Sequence, residues 1–129
     1  MARILIAQKT FTEMFGVMSI AAALSRRGHT VAVSTEGGGR LLRDAREFKP
    51  DIAAFSAVSM NIHANLRNAS IIKQHFPAAP IVFGGVHTTF FPDTIENPQV
   101  DAVCRGDGEF AFSEFVEAYM SGGDTTGIP

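Results

Sequence analysis

Five short apolar runs, each followed by residues at helical spacing, constrain the fold of this chain more than any other feature. Arg3-Ile4-Leu5-Ile6-Ala7 is the first. It is nearly continuous in its apolar character, as in a strand buried on both faces. Val17, Ile20, Ala21 and Leu24 follow at helical spacing. Thr10 and Glu13 stand at capping-box spacing before them, and Gly28 closes the helix. His29 to Ser34 is the second strand, and Gly37-Gly38-Gly39 is expected to be the next loop. Leu41, Ala45 and Phe48 mark a second helix, halted before Pro50. Asp51 to Ser56 is the third strand, and Ile62, Leu66, Ala69, Ile72 and Phe76 stripe the third helix. Pro80 to Phe83 is the fourth strand. Pro92 then opens a brief helix that ends before Pro98. Asp101 to Cys104 is the fifth strand. Phe112, Phe115, Val116 and Tyr119 stripe the last helix, which Gly122 stops.

Strands of this kind alternating with helices predict a parallel sheet covered on both faces, with right-handed crossovers. The 129 residues suffice for one core. The expected class is α/β: a flavodoxin-like (Rossmann-like) three-layer sandwich with a five-stranded parallel sheet in the order 2-1-3-4-5. Ligands of such sheets bind beyond the carboxyl ends of the strands, at the switch point between strands 1 and 3.

The net charge is -2, and no run of Lys or Arg covers a face, so neither nucleic acid nor an anionic membrane is an expected partner. The longest apolar stretches, Ile4 to Ala7 and Ile52 to Phe55, are too short to span a bilayer. The N-terminus lacks the long apolar run of a secretion signal, so a cytoplasmic location is expected. One cysteine, Cys104, excludes an internal disulfide and a CxxC cluster. Residues 1–121 are read as the domain. Residues 122–129, Gly-Gly-Asp-Thr-Thr-Gly-Ile-Pro, are read as a linker.

Function is sought at the carboxyl edge. Ile81-Val82-Phe83-Gly84-Gly85-Val86-His87-Thr88-Thr89 runs from a strand into two glycines. Without a Cβ, a ligand or another backbone can lie against the main chain; a tight turn is the alternative. A phosphoacceptor site needs an aspartate after strand 3 and acids after strand 1. Ser56 and Gln8-Lys9 stand there, and Asp51 is at the other end of its strand. A GxGxxA match at Gly106-Asp107-Gly108-Glu109-Phe110-Ala111 follows the last strand, and its acids would repel a pyrophosphate. Asp107 and Glu109 there instead complement the positive end of the last helix. An FMN site would draw on Thr10 and Thr12, with Phe11, Phe15, Phe90 and Phe91 to flank a ring. His63, His87, Cys104 and Asp107 match no known metal-ligand spacing. His29 and His75 are expected at the amino edge, exposed to solvent.

Phe83-Gly84-Gly85-Val86-His87-Thr88-Thr89-Phe90-Phe91-Pro92 resembles the "GGPHAT…P" segment of the N-terminal cobalamin-binding domain of B12-binding radical SAM proteins. Val100 to Glu109 is similar to that family's "vDyvvrGEGE" segment. Phe55-Ser56-Ala57-Val58-Ser59 resembles its turn after strand 3, and Lys73-Gln74-His75-Phe76-Pro77 its helix end before strand 4. The likeness runs over nearly the whole chain. It implies a module that binds cobalamin and acts with a C-terminal radical SAM domain, which would hold the 4Fe-4S cluster and S-adenosylmethionine. The parent enzyme would carry out methyl transfer or radical chemistry, and this chain would bind rather than catalyse.

A corrin is a broad, largely apolar disc edged with amides, which suits backbone groups and small polar side chains. Its nucleotide tail needs small residues where it enters between sheet and helices, and Ser56, Ala57, Gly84 and Gly85 supply them. The candidate contacts are Gln8, Lys9, Thr10, Phe11, Thr12, Ser56, Ala57, Ser59, Gly84, Gly85, His87, Thr88 and Gly106. One departure stands out. Where many cobalamin domains carry Asp-x-His-x-x-Gly, this chain has Phe11-Thr12-Glu13-Met14-Phe15-Gly16. The resemblance then implies base-off cobalamin held without that histidine. His87 is a candidate cobalt ligand, with loop bracing as its other role. Two alternatives remain: a cofactor-free Rossmann-like interaction domain, to which Phe90-Phe91 would lend a contact surface, and an FMN-binding flavodoxin-like domain.

Overall fold

The computed structural model describes residues 2–8, 14–34, 38–56, 62–84, 92–104 and 108–122. The strands are β1 (Arg3–Gln8), β2 (Thr30–Ser34), β3 (Ile52–Ser56), β4 (Ile81–Gly84) and β5 (Ala102–Val103). The helices are α1 (Met14–Arg26), α2 (Gly38–Phe48), α3 (Ile62–His75) and α4 (Gly108–Met120), with a 3-10 turn at Pro92–Glu96. All strands are parallel, in the order β2-β1-β3-β4-β5. The expected flavodoxin-like topology is therefore the observed one.

Two-sided burial follows from the strand sequences. Leu5, Ala7, Ala53, Phe55, Ile81 and Phe83 join Leu41, Ala45, Ile62, Ala69 and Ile72 in a core under α2 and α3. Ile4, Ile6, Ile52, Ala54 and Val82 face the other way and join Leu24, Phe112 and Val116 under α1 and α4. Successive strand residues point to opposite faces, so each strand needs apolar residues throughout.

The caps explain where helices stop. Gly28 has φ +90°, its N–H donates to the Ser25 carbonyl at 3.0 Å, and the His29 N–H donates to the Leu24 carbonyl at 3.1 Å. That bond pair is the Schellman ending. At the end of α2, Lys49 takes φ 58° and donates to the Ala45 carbonyl at 2.7 Å. One expectation needs correction. Gly38 and Gly39 belong to the first turn of α2 rather than to a loop. Complete burial of Leu41 and Ala45 outweighs the poor helix propensity of the two glycines.

The amino edge is closed by side chains. Asp51 donates its N–H to the Arg3 carbonyl (2.7 Å), and its Oδ2 accepts the Arg3 N–H (2.8 Å). Asp101 repeats the ring with Ile81, at 2.9 and 2.7 Å, and its Oδ2 also meets Lys73 Nζ at 2.6 Å. His29 does the same work before β2: its Nδ1 accepts the Ala2 N–H at 3.0 Å. Arg3 lies over the Phe48 ring, 4.4 Å from its centroid, and donates from Nε to the Phe48 carbonyl.

His29 is thus a second correction. It is at the amino edge but only 8% exposed. Its Nε2 lies 3.2 Å from Glu117 Oε1 on α4. Since Nδ1 accepts, the ring proton sits on Nε2 and is donated to that carboxylate. His75, by contrast, is exposed at the end of α3, as expected.

Candidate functional site

The three central strands stop level at the carboxyl edge. Gln8, the last residue of β1, is in register with Ser56, the last of β3, and Ser56 is in register with Gly84, the last of β4. Three residues singled out from the sequence therefore form one row across the switch point. Ile52 to Phe55 and Ile81 to Phe83 are buried, whereas Ser56 and Gly84 are half-buried. Both strands come into the open at their final residue.

Strand alternation gives this row a direction. Ile52, Ala54 and Val82 belong to the α1/α4 core, so Ser56 and Gly84 face the same side. Among the described residues, a Cβ built on Gly84 would meet Cys104, at 3.8 Å from its Cβ and 3.9 Å from its carbonyl oxygen. These are ordinary contacts. Cys104 itself packs on the α1/α4 core, and its N–H donates to the Phe83 carbonyl at 2.8 Å. On the opposite face Phe55 and Phe83 stack directly beneath the row, with centroids 5.2 Å apart.

Asn65 is a residue the sequence analysis missed. It is 1% exposed on α3, and its Nδ2 points to the Ser56 carbonyl at 3.5 Å. It ties the end of β3 to the helix on the other face. The signal was present: Asn65 falls within the stripe Ile62, Asn65, Ala69, Ile72, where a polar residue needs a buried partner. Asn68 and Ser113, also buried, were likewise missed.

The other candidate contacts, Lys9, Thr10, Phe11, Thr12, Ala57, Ser59, Gly85, His87, Thr88 and Gly106, lie outside the described residues. So do Phe90, Phe91 and Asp107. Of the metal-ligand set considered, His63 is exposed on α3 and Cys104 is half-buried after β5. Among the described residues no three His, Cys, Asp or Glu side chains are grouped to hold a metal ion. Asp51 is on the amino edge, occupied with Arg3, and does not stand where a phosphoacceptor must. Ser56, Gly84 and Cys104, the described residues at this point of the edge, are small and uncharged.

A profile of the B12 binding domain matches residues 4–116. This chain belongs to the B12-binding domain family. The family implied by the glycine segment and by the segment after strand 5 is thus the one found. The domain is 36% identical over 85 residues to an uncharacterized methyltransferase of Pyrococcus horikoshii, covering 64% of this chain and 18% of that protein. It is 34% identical over 82 residues to the anaerobic magnesium-protoporphyrin IX monomethyl ester cyclase of Cereibacter sphaeroides, covering 62% and 13%. It is 31% identical over 84 residues to the cobalamin-dependent radical SAM methyltransferase TokK of Streptomyces tokunonensis, covering 63% and 12%. The B12-binding domain thus aligns with less than a fifth of the length of each of these relatives.

Among solved structures, a cobalamin-binding protein from Desulfitobacterium hafniense superposes with a TM-score of 0.75 at 13% identity, covering 90% of this chain and 57% of that one. A response regulator of Thermotoga maritima, TrrA, superposes with a TM-score of 0.67 at 17% identity, covering 94% and 98%. At such identities the likeness shows the fold alone.

Proposed function

We propose that this B12-binding domain holds a cobalamin across the carboxyl edge of its sheet, as the cofactor module of a longer radical SAM enzyme. The observation that carries the reading is the level row Gln8–Ser56–Gly84. Its small members face the α1/α4 side, and among the described residues a Cβ on Gly84 would meet Cys104 at ordinary contact distance. The described residues Ser56 and Gly84 fit a corrin: they are neutral and small, with the stacked Phe55 and Phe83 on the other face of the sheet.

In this reading Ser56 and Gly84 wall a slot for the nucleotide tail between the sheet and α1/α4. Gln8 to Thr12, Ala57, Ser59, Gly85, His87, Thr88 and Gly106 contribute backbone and hydroxyl groups to the corrin's amides. Cobalamin supplies a cobalt centre for methyl transfer or radical chemistry. This chain positions it base-off, without a histidine from residues 11–16, and shields the face turned to the sheet. The 4Fe-4S cluster and S-adenosylmethionine belong to another part of the longer protein, and the enzyme works in the cytoplasm. The relatives' names support the class, and their partial coverage leaves the substrate open.

The test is a titration of the chain with hydroxocobalamin, read by its visible spectrum and by co-elution of corrin with protein. Saturable binding with a spectral shift is expected. If FMN binds and hydroxocobalamin does not, the flavin reading replaces this one. If neither binds, the chain is an interaction domain.

A further inference from the structure

β2 is an edge strand, and nothing in its sequence protects it. Exposed edges are usually blunted by charge, proline, a bulge or shortness. The opposite edge, β5, is two residues long and is preceded by Asp101. β2 has five residues, Thr-Val-Ala-Val-Ser, with no charge, proline or glycine. Its register with β1 is unbroken from Arg3↔Thr30 to Ala7↔Ser34, so no bulge interrupts it.

The ladder decides which backbone groups face outward. The Thr30 N–H donates to the Ala2 carbonyl at 2.9 Å, so Thr30, Ala32 and Ser34 turn their backbone groups toward β1. Val31 and Val33 therefore turn theirs to the open side. Val33 is also one of the exposed large apolar residues, at 44%. Val31 packs on the α1/α4 core, so both valines lie on that face of the sheet.

We propose that this edge pairs with the β2 of a second copy of the chain, antiparallel about a two-fold axis at Ala32. The strand is self-complementary under that operation. Reversed, Thr-Val-Ala-Val-Ser reads Ser-Val-Ala-Val-Thr. Thr30 then opposes Ser34 of the second copy, Val31 opposes its Val33, and Ala32 opposes its own counterpart. Hydroxyl and β-branched pairs of this kind stabilise antiparallel ladders, and no like charges meet. Val31 and Val33 of the second copy exchange both of their N–H···O=C bonds, the narrow pair of an antiparallel ladder.

The resulting isologous interface makes one continuous sheet from two copies and covers Val33. It leaves the Ser56–Gly84 row untouched, because β1 lies between β2 and β3, so it does not depend on any bound cofactor.

Sedimentation velocity of the 129-residue chain over about 1 to 300 micromolar tests this, together with residue-resolved amide exchange. The mass should rise toward the dimer with concentration, and the Val31 and Val33 amides should slow by at least about tenfold in parallel. Val33→Lys, at an exposed position, should keep its far-UV circular dichroism and weaken association at least about tenfold. Val33→Thr should associate like the parent. A chain that stays monomeric throughout overturns the proposal. So does a dimer that Val33→Lys leaves intact, or one in which the Val31 and Val33 amides exchange as fast as in the monomer, since either places the contact elsewhere.

Discussion

At Gly84 neither the backbone nor the packing of the described residues calls for glycine. Gly28 and Gly122 are the positive-φ glycines among the described residues, and Gly84 is not one of them. A Cβ there meets Cys104 at ordinary contact distance. Glycine inside a strand costs about 0.5–1 kcal/mol relative to alanine. A ligand lying against the main chain would give this glycine a role that the packing of the described residues does not. Gly84→Ala should raise stability to urea by about 0.5 kcal/mol and change hydroxocobalamin affinity less than about threefold. Gly84→Phe should remain folded, because the position is half-buried, yet lose more than about tenfold in affinity. Equal affinities in the two variants would remove Gly84 from the wall of the slot. Gly84 and Ser56 were legible because small residues ending apolar strands stand out in a sequence. His29 was not. Its burial depends on Ala2 and on Glu117, 88 residues away. Nothing local to Gly28-His29-Thr30 announces either partner. His29→Ala should cost about 1–3 kcal/mol, since it strands the buried Ala2 N–H, and urea denaturation measures it.

Among the elements, two aspartates show how the same local solution is used twice. Asp51 and Asp101 each precede a strand and each form a two-bond ring with the first residue of the neighbouring strand. The rings fix where parallel strands begin, a place where the ladder by itself leaves N–H groups unpaired. Asp101 also meets Lys73, but both side chains are about one-third exposed, at 34% and 32%. An ion pair in that setting contributes under about 1 kcal/mol. The bond to the Ile81 N–H, on a residue of zero exposure, matters more. Lys73→Ala should therefore cost under about 1 kcal/mol and Asp101→Ala about 1–3 kcal/mol. Asp101→Asn, which keeps an acceptor oxygen, should fall between them in thermal denaturation. If Lys73→Ala proves the more damaging change, the ion pair and not the ring holds that strand start. Apolar runs and helical stripes made the elements themselves legible. Their limits were less so: β5 shrinks to Ala102–Val103, and α2 reaches back to Gly38, because packing rather than propensity sets both ends.

Taken whole, the molecule has one edge bound by side chains and one edge where β3 and β4 end in small residues. His29, Asp51 and Asp101 hold the amino edge. At the carboxyl edge, positions 8, 56 and 84 come together only when β1, β3 and β4 are all in register. No isolated segment contains the row, so a ligand that uses it binds the native state and not the unfolded chain. The consequence is thermodynamic. A ligand selective for the native state stabilises it by about 2.7 kcal/mol at one hundred times its dissociation constant. For a domain of this size that corresponds to a Tm rise on the order of 10 °C. Hydroxocobalamin should raise the Tm of the parent chain progressively with concentration, and Gly84→Phe should show little of that rise. The dependence on ligand concentration is the discriminating feature, because a general solvent effect would move both proteins alike. A Tm that stays fixed for the parent chain from zero to saturating hydroxocobalamin would mean that the level row does not hold a corrin in the native state.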